Sequence, residues 1–312
     1  MDLTVLICTY NRRDDVLELL DTVQNQETGG RFAFEVIVVD NNSRDGTVEA
    51  LQGRPGIRFL TEQRQGKSYA LQTGIAVAQG EILFIVDSDQ LLPPGYLLRA
   101  WEGIRQDPKL AIYGGKVLPI WPSPPPRWLT REHWAPLAML DFGDEAFRFG
   151  AERPLCLLVP LFRMAPLRAL GGFKLGMSVS KDKIGGVEDA DLAMRLLRAG
   201  YQGCYDPALV ISHKVEPNRL TRAYHRRWYR GHGYFRAKLR EPEYEKARFH
   251  VLGIPAHVLR SATLSLLRWV GKLLRGNTDG AFLHETELWD YWGYMLERVR
   301  NRNQAAIAEE HQ

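Results

Sequence analysis

Four short runs of buried-strand character alternate with helical patterns through the first 115 residues, and each run ends in a polar cluster. "LTVLIC" (3–8), "FEVIVVD" (34–40), "IRFLTE" (57–62) and "EILFIVD" (81–87) are β-rich runs, and "FEVIVVD" reads as a fully buried strand. Such runs suit strands covered on both faces, as in a parallel sheet. Between them lie helical patterns. In "RDDVLELLDTVQNQ", Val16, Leu19, Leu20 and Val23 share a helical face. "RDGTVEALQG" reads as a short helix, and "GKSYALQTGIAVAQG" as one with Ala70, Leu71, Gly74, Ile75 and Ala78 inward. Strands alternating with helices predict an α/β chain with a mostly parallel sheet and right-handed crossovers. Ligands of such sheets gather beyond the carboxyl ends of the strands. "TYNR", "DNNS", "RQGK" and "DSD" all fall at those ends.

The last cluster poses a physical problem. Asp87 and Asp89 are separated by one serine at the end of a buried strand. Two like charges so close disfavour each other's ionised form. A divalent cation resolves the conflict; taken alone, the motif reads more readily as an acidic loop. Arg64 and Lys67 stand before a helix N-terminus, where amides, dipole and side chains together favour phosphate. Lys67 reads equally as a solvated lysine at a helix start.

The rest of the chain is organised differently. "PIWPSPPP" (119–126) carries five prolines and predicts a stiff, extended loop. An aromatic stretch follows, with Trp128, His133, Trp134, Phe142, Phe147 and Phe149, offering either packing or a sugar-stacking platform. Residues 174–186 have the glycine content of a lid. "EDADLAMRLLRAG" predicts a helix closed by Gly200, and "CYDPALVISH" a final strand pair. From His213 to Gly276 there are fifteen Lys/Arg against four Glu, so a boundary is placed near residue 215.

Composition narrows the class. With 312 residues, 45% hydrophobic and 25% charged, the chain is an ordinary globular protein. No run of about 18 apolar residues predicts a spanning helix. "LTVLIC" reads as a first strand rather than a signal peptide. Cys8, Cys156 and Cys204 form no C-x-x-C pair, which predicts reduced thiols and a cytoplasmic protein.

Together, "VLICTYNR", "VIVVDNNSRDGT", "GKSYALQTGIAVAQGEILFIVDSD" and "GVEDADLAMRLLRAGY" resemble the family-2 glycosyltransferases, which have the GT-A fold. The resemblance covers roughly residues 1–215, as a catalytic domain with a nucleotide-sugar-binding half (1–115) and an acceptor half (116–215). Residues 216–312 form a basic, mainly helical extension. "SHKVEPNRLTRAYHRRWYRGHG" is similar, more loosely, to bacterial polysaccharide-building members.

The resemblance implies an inverting, metal-dependent transfer from a nucleotide-diphosphate sugar, UDP preferred, to a hydroxyl of a glycan or lipid-linked acceptor. It puts Thr9, Tyr10, Asn11 and Arg12 around the base, with Asp40 accepting from a base N–H. Asn42, Arg64, Lys67, Ser88 and Glu188 complete the nucleotide-sugar contacts. Asp89 is implied as a direct ligand of Mn²⁺ or Mg²⁺, and Asp87 as a contact to ribose or to a metal-bound water. His213 is a candidate further ligand, and Gln90 stands where many relatives carry a third acid. The second acid of the E-D pair, Asp189, is implied as general base, although acids also favour helix N-termini through the macrodipole. Asp191, two residues on, falls on another helical face and reads as a packing or capping residue.

Three other readings compete. A catalytically inactive nucleotide-sugar-binding or scaffold protein would not need Asp87, Asp89 and Asp189 intact. A nucleotidyltransferase would show a glycine-rich loop after the first strand, which "TYNRRDD" lacks. A nucleic-acid partner, prompted by the basic third, has no recognisable motif behind it. That basic third instead predicts contact with an anionic membrane. Within "HVLRSATLSLLRWVGKLLR", Arg260, Arg268, Lys272 and Arg275 lie to one side of Leu259, Ala262, Leu266, Val270 and Leu273, with Trp269 at hand for the headgroup level. The expected location is then cytoplasmic, peripheral at the inner face of the plasma membrane. The alternative is that the helix's apolar side is packed as core.

Overall fold

The computed structural model describes residues 1–175, 184–239, 247 and 249–310, the side chains of 301–310 excepted. The lid reading of 174–186 therefore falls mostly outside the described residues. The chain divides into two compact units. The first comprises Met1–Pro122, residues 138–175 and Glu188–Val215; the second comprises Ser123–Leu137, residues 184–187 and the chain from Glu216 onward.

The first unit is an α/β layer structure. Its strands are β1 (Leu3–Thr9), β2 (Phe34–Asp40), β3 (Arg58–Thr61), β4 (Ile82–Asp87), β5 (Gln90–Leu91), β6 (Leu110–Ile120), β7 (Phe147–Phe149), β8 (Leu161–Arg163) and β9 (Gln202–Lys214). They pair in the order β3-β2-β1-β4-β8-β6-β9-β5, with β7 on β9. The β3-β2-β1-β4 half is parallel throughout, and β6 runs parallel to β9. The short strands β5, β7 and β8 join antiparallel.

Helices α1 (Arg13–Gln24), α2 (Thr47–Leu51), α3 (Lys67–Val77), α4 (Tyr96–Arg105), α5 (Met164–Ala169) and α6 (Glu188–Arg198) accompany the sheet. The apolar stripe of α1, Val16, Leu19, Leu20 and Val23, is wholly buried, as its periodicity requires. Two glycines set α3. Gly66 takes φ +136° at the turn into the helix, a conformation L side chains rarely adopt. A Cβ on Gly74 would lie 2.3 Å from a Leu6 methyl, so a larger residue there would have to displace the Leu6 side chain as α3 closes onto β1.

Two expectations need correction. "CYDPALVISH" is one long strand, β9, whose pairing with β6 shifts register between Gly114 and Lys116. The Asp206–Pro207 turn signal is absorbed by that irregularity, while the Asp206 carboxylate accepts bonds from Arg99 and Tyr113. The proline loop also starts later than its composition implies, because β6 continues through Pro119 to Ile120. On β6 the partner strand β8 reaches Ile112 and Tyr113, which leaves the end of β6 less enclosed and able to hold a residue without an N–H.

The second unit is helical: α7 (Arg222–Leu239), α8 (Ala256–Leu274) and α9 (Thr278–Glu310), with a small hairpin of β10 (His250–Val251) and β11 (Ile254–Pro255) leading into α8. Glycines bring α7 and α9 together backbone to backbone. A Cβ on Gly233 would sit 1.9 Å from the Asp290 carbonyl oxygen, and one on Gly293 2.0 Å from that of Arg230. Trp128 belongs here rather than to a sugar platform. Its ring packs edge-on against His133, His225 and Phe282, at centroid distances of 5.6, 4.9 and 4.8 Å. Phe142 and Phe147 of the first unit likewise pack on Tyr205. No helix among the described residues is long and apolar enough to cross a membrane.

Candidate active site

The functional side chains of the first unit stand on the carboxyl ends of β1, β2 and β4, on the loop into α3, at the start of α6 and at the end of β9. Parallel pairing puts Thr9 beside Asp40, and Cys8 beside Asp87. The loops that follow β1 and β2 tie each other down. Asn11, at φ +51°, donates its backbone N–H to Ser43 Oγ at 2.8 Å and accepts from the Arg44 N–H at 2.8 Å. Asn42, also left-handed, donates to the Gln63 carbonyl. Tyr10 is half exposed beside them.

Asp40 is buried. Its Oδ2 accepts the Ser43 N–H at 3.1 Å, while Oδ1 has no hydrogen-bond partner among the described residues. Buried Thr9 Oγ1 and Glu188 Oε2 share that condition. A buried acceptor without a donor costs about 1–3 kcal/mol, so three at the rim of one sheet mark places where a ligand brings the donors.

Charge is concentrated around Lys67. Its Nζ lies 2.7 Å from Asp87 Oδ1. Burial disfavours the Lys67 charge, but the carboxylates of Asp87, Asp189 and Glu188 outweigh it and hold its pKa well above the usual lysine value. At Glu188 and Asp189 burial acts with the opposite sign. Burial pushes both carboxyls up; their mutual repulsion adds to this at Glu188, the negative charge of Asp87 adds at both, and Lys67 pulls both down. A carboxylate of raised basicity beside a polar rim is suited to taking a proton near neutral pH.

Asp89 faces another way. Its carboxylate lies 3.3 Å from Arg12 Nη1 and 3.4 Å from His213 Nδ1. Both Asp89 and His213 are buried. Of the residues implied for the metal, Asp89 and His213 face each other, while Asp87, implied as a contact to ribose or to a metal-bound water, is paired with Lys67. Among the described residues no group of three or more His, Cys, Asp or Glu side chains is gathered to hold a metal. The remaining pair still fits a hard dication. One carboxylate oxygen and one imidazole nitrogen, both buried, leave room in the shell for phosphate oxygens and water, as Mg²⁺ prefers.

Some placements differ from expectation, and some residues were missed. Arg64 is turned away from the carboxylates to Glu62, at 2.7 Å, and over the Tyr69 ring. That contact holds the Glu62 carboxyl down at about 2, chiefly through hydrogen bonds from Arg64. Ser88 is buried within the turn. Asp191 is buried and held by Arg195 at 2.7 Å and Lys174 at 2.8 Å. Asn41 went unnoticed in the sequence. Buried, it donates to the Glu62 and Arg64 carbonyls and accepts from the Gly66 N–H, each at 2.8 Å, so it shapes the loop that presents Lys67. Gln90, wholly buried, accepts the Asp87 N–H at 2.9 Å and fixes the turn carrying both aspartates. Its place opposite His213 follows from the pairing of β5 with β9. For Asn41 the available signal was an amide at a strand end next to an acid; for Gln90, remarked in the sequence only for the missing third acid, it was an amide three residues after the strand-end Asp87.

Comparison with known proteins adds to this geometry. The model of "Glycosyl transferase family 2" matches residues 4–155, and that of "Glycosyl transferase family group 2" matches residues 82–278, more than half of the chain. The chain is 30% identical over 126 residues to a dolichol-phosphate mannosyltransferase of Pyrococcus furiosus, covering 38% of this chain and 35% of that protein. It is 24% identical over 134 residues to an undecaprenyl-phosphate 4-deoxy-4-formamido-L-arabinose transferase of Pseudomonas fluorescens, covering 37% and 39%. The matched segments thus span little more than a third of either curated relative. Among solved structures it is similar to the mannosyltransferase PcManGT from Pyrobaculum calidifontis in complex with GDP-Man and Mn²⁺. That match has a TM-score of 0.60 and 21% identity, over 95% of this chain and 86% of the other. At that identity the likeness shows the fold, which is GT-A.

Proposed function

The chain belongs to the family-2 glycosyltransferases, and from that premise we propose that it moves a sugar from a nucleotide-diphosphate sugar to a hydroxyl of a glycan or lipid-linked acceptor, with inversion. The observation that carries this reading is the grouping of Lys67, Asp87, Glu188 and Asp189, with a basicity of Asp189 raised by burial. The donor's base meets Asp40, whose unpaired Oδ1 calls for an N–H; uracil supplies one at N3, as do thymine and guanine from their own rings, so the preference for a UDP-sugar rests on the family resemblance. Arg12, Asn11, Tyr10 and Thr9 border the same rim. Lys67, at the N-terminus of α3, trades Asp87 for phosphate oxygens as the donor enters.

Asp89 and His213 would hold Mn²⁺ or Mg²⁺, which when bound supplies positive charge to the departing diphosphate. Asp189 takes the proton of the acceptor hydroxyl. As that oxygen bonds to the anomeric carbon, the bond from carbon to phosphate oxygen breaks and its electron pair leaves with the nucleoside diphosphate. One displacement inverts the centre, in line with the geometry of inverting glycosidases. The named relatives act on, or are named for, dolichol- and undecaprenyl-phosphate. They support a lipid-linked acceptor, and with it a cytoplasmic enzyme peripheral at the inner face of the plasma membrane.

A panel of UDP-, GDP- and dTDP-sugars with Mn²⁺, read by nucleoside diphosphate release and by thermal shift, tests the proposal. One donor should both raise the melting temperature, by binding the folded state, and turn over only with a divalent ion. A donor that stabilises the protein without any turnover would leave a nucleotide-sugar-binding protein instead.

A further inference from the structure

Sixteen large hydrophobic side chains are markedly exposed among the described residues, and nine of them fall between Phe249 and Leu274. Three belong to the hairpin that leads into α8: Phe249, Val251 and Leu252, which are 67, 53 and 61% exposed. Leu252 and Gly253 form its tip, both at positive φ. The other six lie on α8: Leu264, Leu266, Leu267, Val270, Leu273 and Leu274.

Helical geometry sorts these residues. At about 100° per residue the six occupy roughly half the circumference of α8. Val258 and Ser265, the two fully buried residues of the helix, lie on the opposite side. Val258 joins Ile254, Ala237 and Tyr294 in a small core, and Ser265 donates to Glu287 of α9 at 2.7 Å. The helix is thus fastened along one narrow line and turns its leucines outward. Of the apolar side named from the sequence, Leu259 packs partly buried against that core, while Leu266, Val270 and Leu273 are exposed.

Charge identifies what covers this face. No Asp or Glu occurs from Ala247 to Thr278. Arg260, Arg268 and Arg275 are exposed, lie within about 80° of one another and overlap one edge of the leucine face, and have no ion-pair partner among the described residues. A second copy of the same surface would bring six arginines together with no acid to meet them. An anionic lipid surface answers both properties, since leucines enter the acyl boundary while arginines meet phosphate headgroups.

We propose that the β10–β11 hairpin and the outward face of α8 form a docking surface for anionic membrane lipid, with the hairpin tip and the six apolar residues of α8 inserted and Arg260, Arg268 and Arg275 at the headgroups. This deepens the peripheral location in the function proposed above and rests on that reading for its purpose, though not for its physics. Docking holds a soluble catalytic unit where a lipid-linked acceptor presents its hydroxyl.

Co-sedimentation of the whole chain with phosphatidylcholine vesicles, with and without one third phosphatidylglycerol, tests it. Binding should require phosphatidylglycerol and weaken steeply as salt rises. Arg260→Gln, Arg268→Gln and Arg275→Gln together should weaken it on the order of 10²-fold, from about fivefold per charge. Leu264→Ser, Leu267→Ser and Leu274→Ser together should remove it, with an unchanged melting temperature because these side chains are exposed. Donor turnover measured in solution, without vesicles, should be the same in both variants, which separates failure of docking from failure of the transfer reading. Absence of binding to anionic vesicles at low salt overturns the proposal, as does a leucine variant that binds like the parent. Concentration-dependent dimerisation abolished by the same serines, without vesicle binding, would make the face an interface between copies and overturn it too.

Discussion

A carboxylate's role in this chain depends on which cation it faces. Asp87 and Asp89 are two residues apart, yet one is turned to Lys67 and the other to Arg12 and His213. The sequence made the pair conspicuous but could not divide it, because the division is made by residues far off in the chain. Asn41 was illegible for the same reason: it acts through backbone groups of the loop after β3 that only the fold brings near. Two outcomes follow from the division. Asp89→Ala should abolish the metal-dependent part of transfer and of nucleotide binding, whereas undiminished activity in excess chelator would contradict the Asp89–His213 assignment. The second concerns pH. Burial holds the Asp189 carboxyl above the ordinary carboxylate range, and Lys67 works against that rise. Turnover should therefore fall, as pH drops, at a pH above that of a solvated aspartate. Lys67→Gln should move this acid limb further toward alkaline pH, and a limb that stays in place would show that the two charges do not couple.

At the scale of elements, hydrophobic period carried the sequence reading far. The four N-terminal strands and the stripe of α1 stand where their patterns put them, because their burial is decided locally by strand and helix geometry. Patterns failed where a long-range pairing overrode a local turn signal, as in β9, whose Asp206–Pro207 is absorbed within an unbroken strand. They were also silent on helix contacts. Gly231, Gly233 and Gly293 look like helix-weakening residues in sequence, but two of them allow α7 and α9 to touch backbone to backbone. Gly233→Ala should lower stability by about 1–3 kcal/mol, the usual cost of forcing atoms into a filled contact. Alanine's better helix propensity, about 1 kcal/mol, acts in the other direction. Denaturant unfolding decides; a more stable alanine variant would mean that the close approach does not govern the packing.

For the whole molecule, the basic composition after residue 213 announced a change of character, but not that Ser123–Leu137 would pack with the C-terminal helices. Trp128 and His133 belong to that packing, and their aromatic character alone fitted a sugar platform as well. Burial pushes the His225 imidazole down to about 4, with the charge of His133 adding to this; burial also lowers His133. Arg222 adds to the cost of a charge at His133, and Glu132 offsets part of it. The sign is set by proton uptake. Below the ordinary histidine value the unfolded chain binds protons that the folded unit refuses, so stability is full above about pH 6.5 and declines toward pH 4. For His225 the loss is on the order of 3 kcal/mol across that window. His225→Leu should flatten the decline relative to the parent, and an equal slope would place the acid sensitivity elsewhere. The central claim, sugar transfer with Asp189 as base, is tested most directly by Asp189→Asn in the whole chain, with donor affinity and turnover measured side by side. The account predicts nearly unchanged donor affinity and turnover lower by about 10²–10⁴-fold, the range of a general base. A collapse of donor affinity, or a greater loss of turnover in Asp191→Asn, would contradict it.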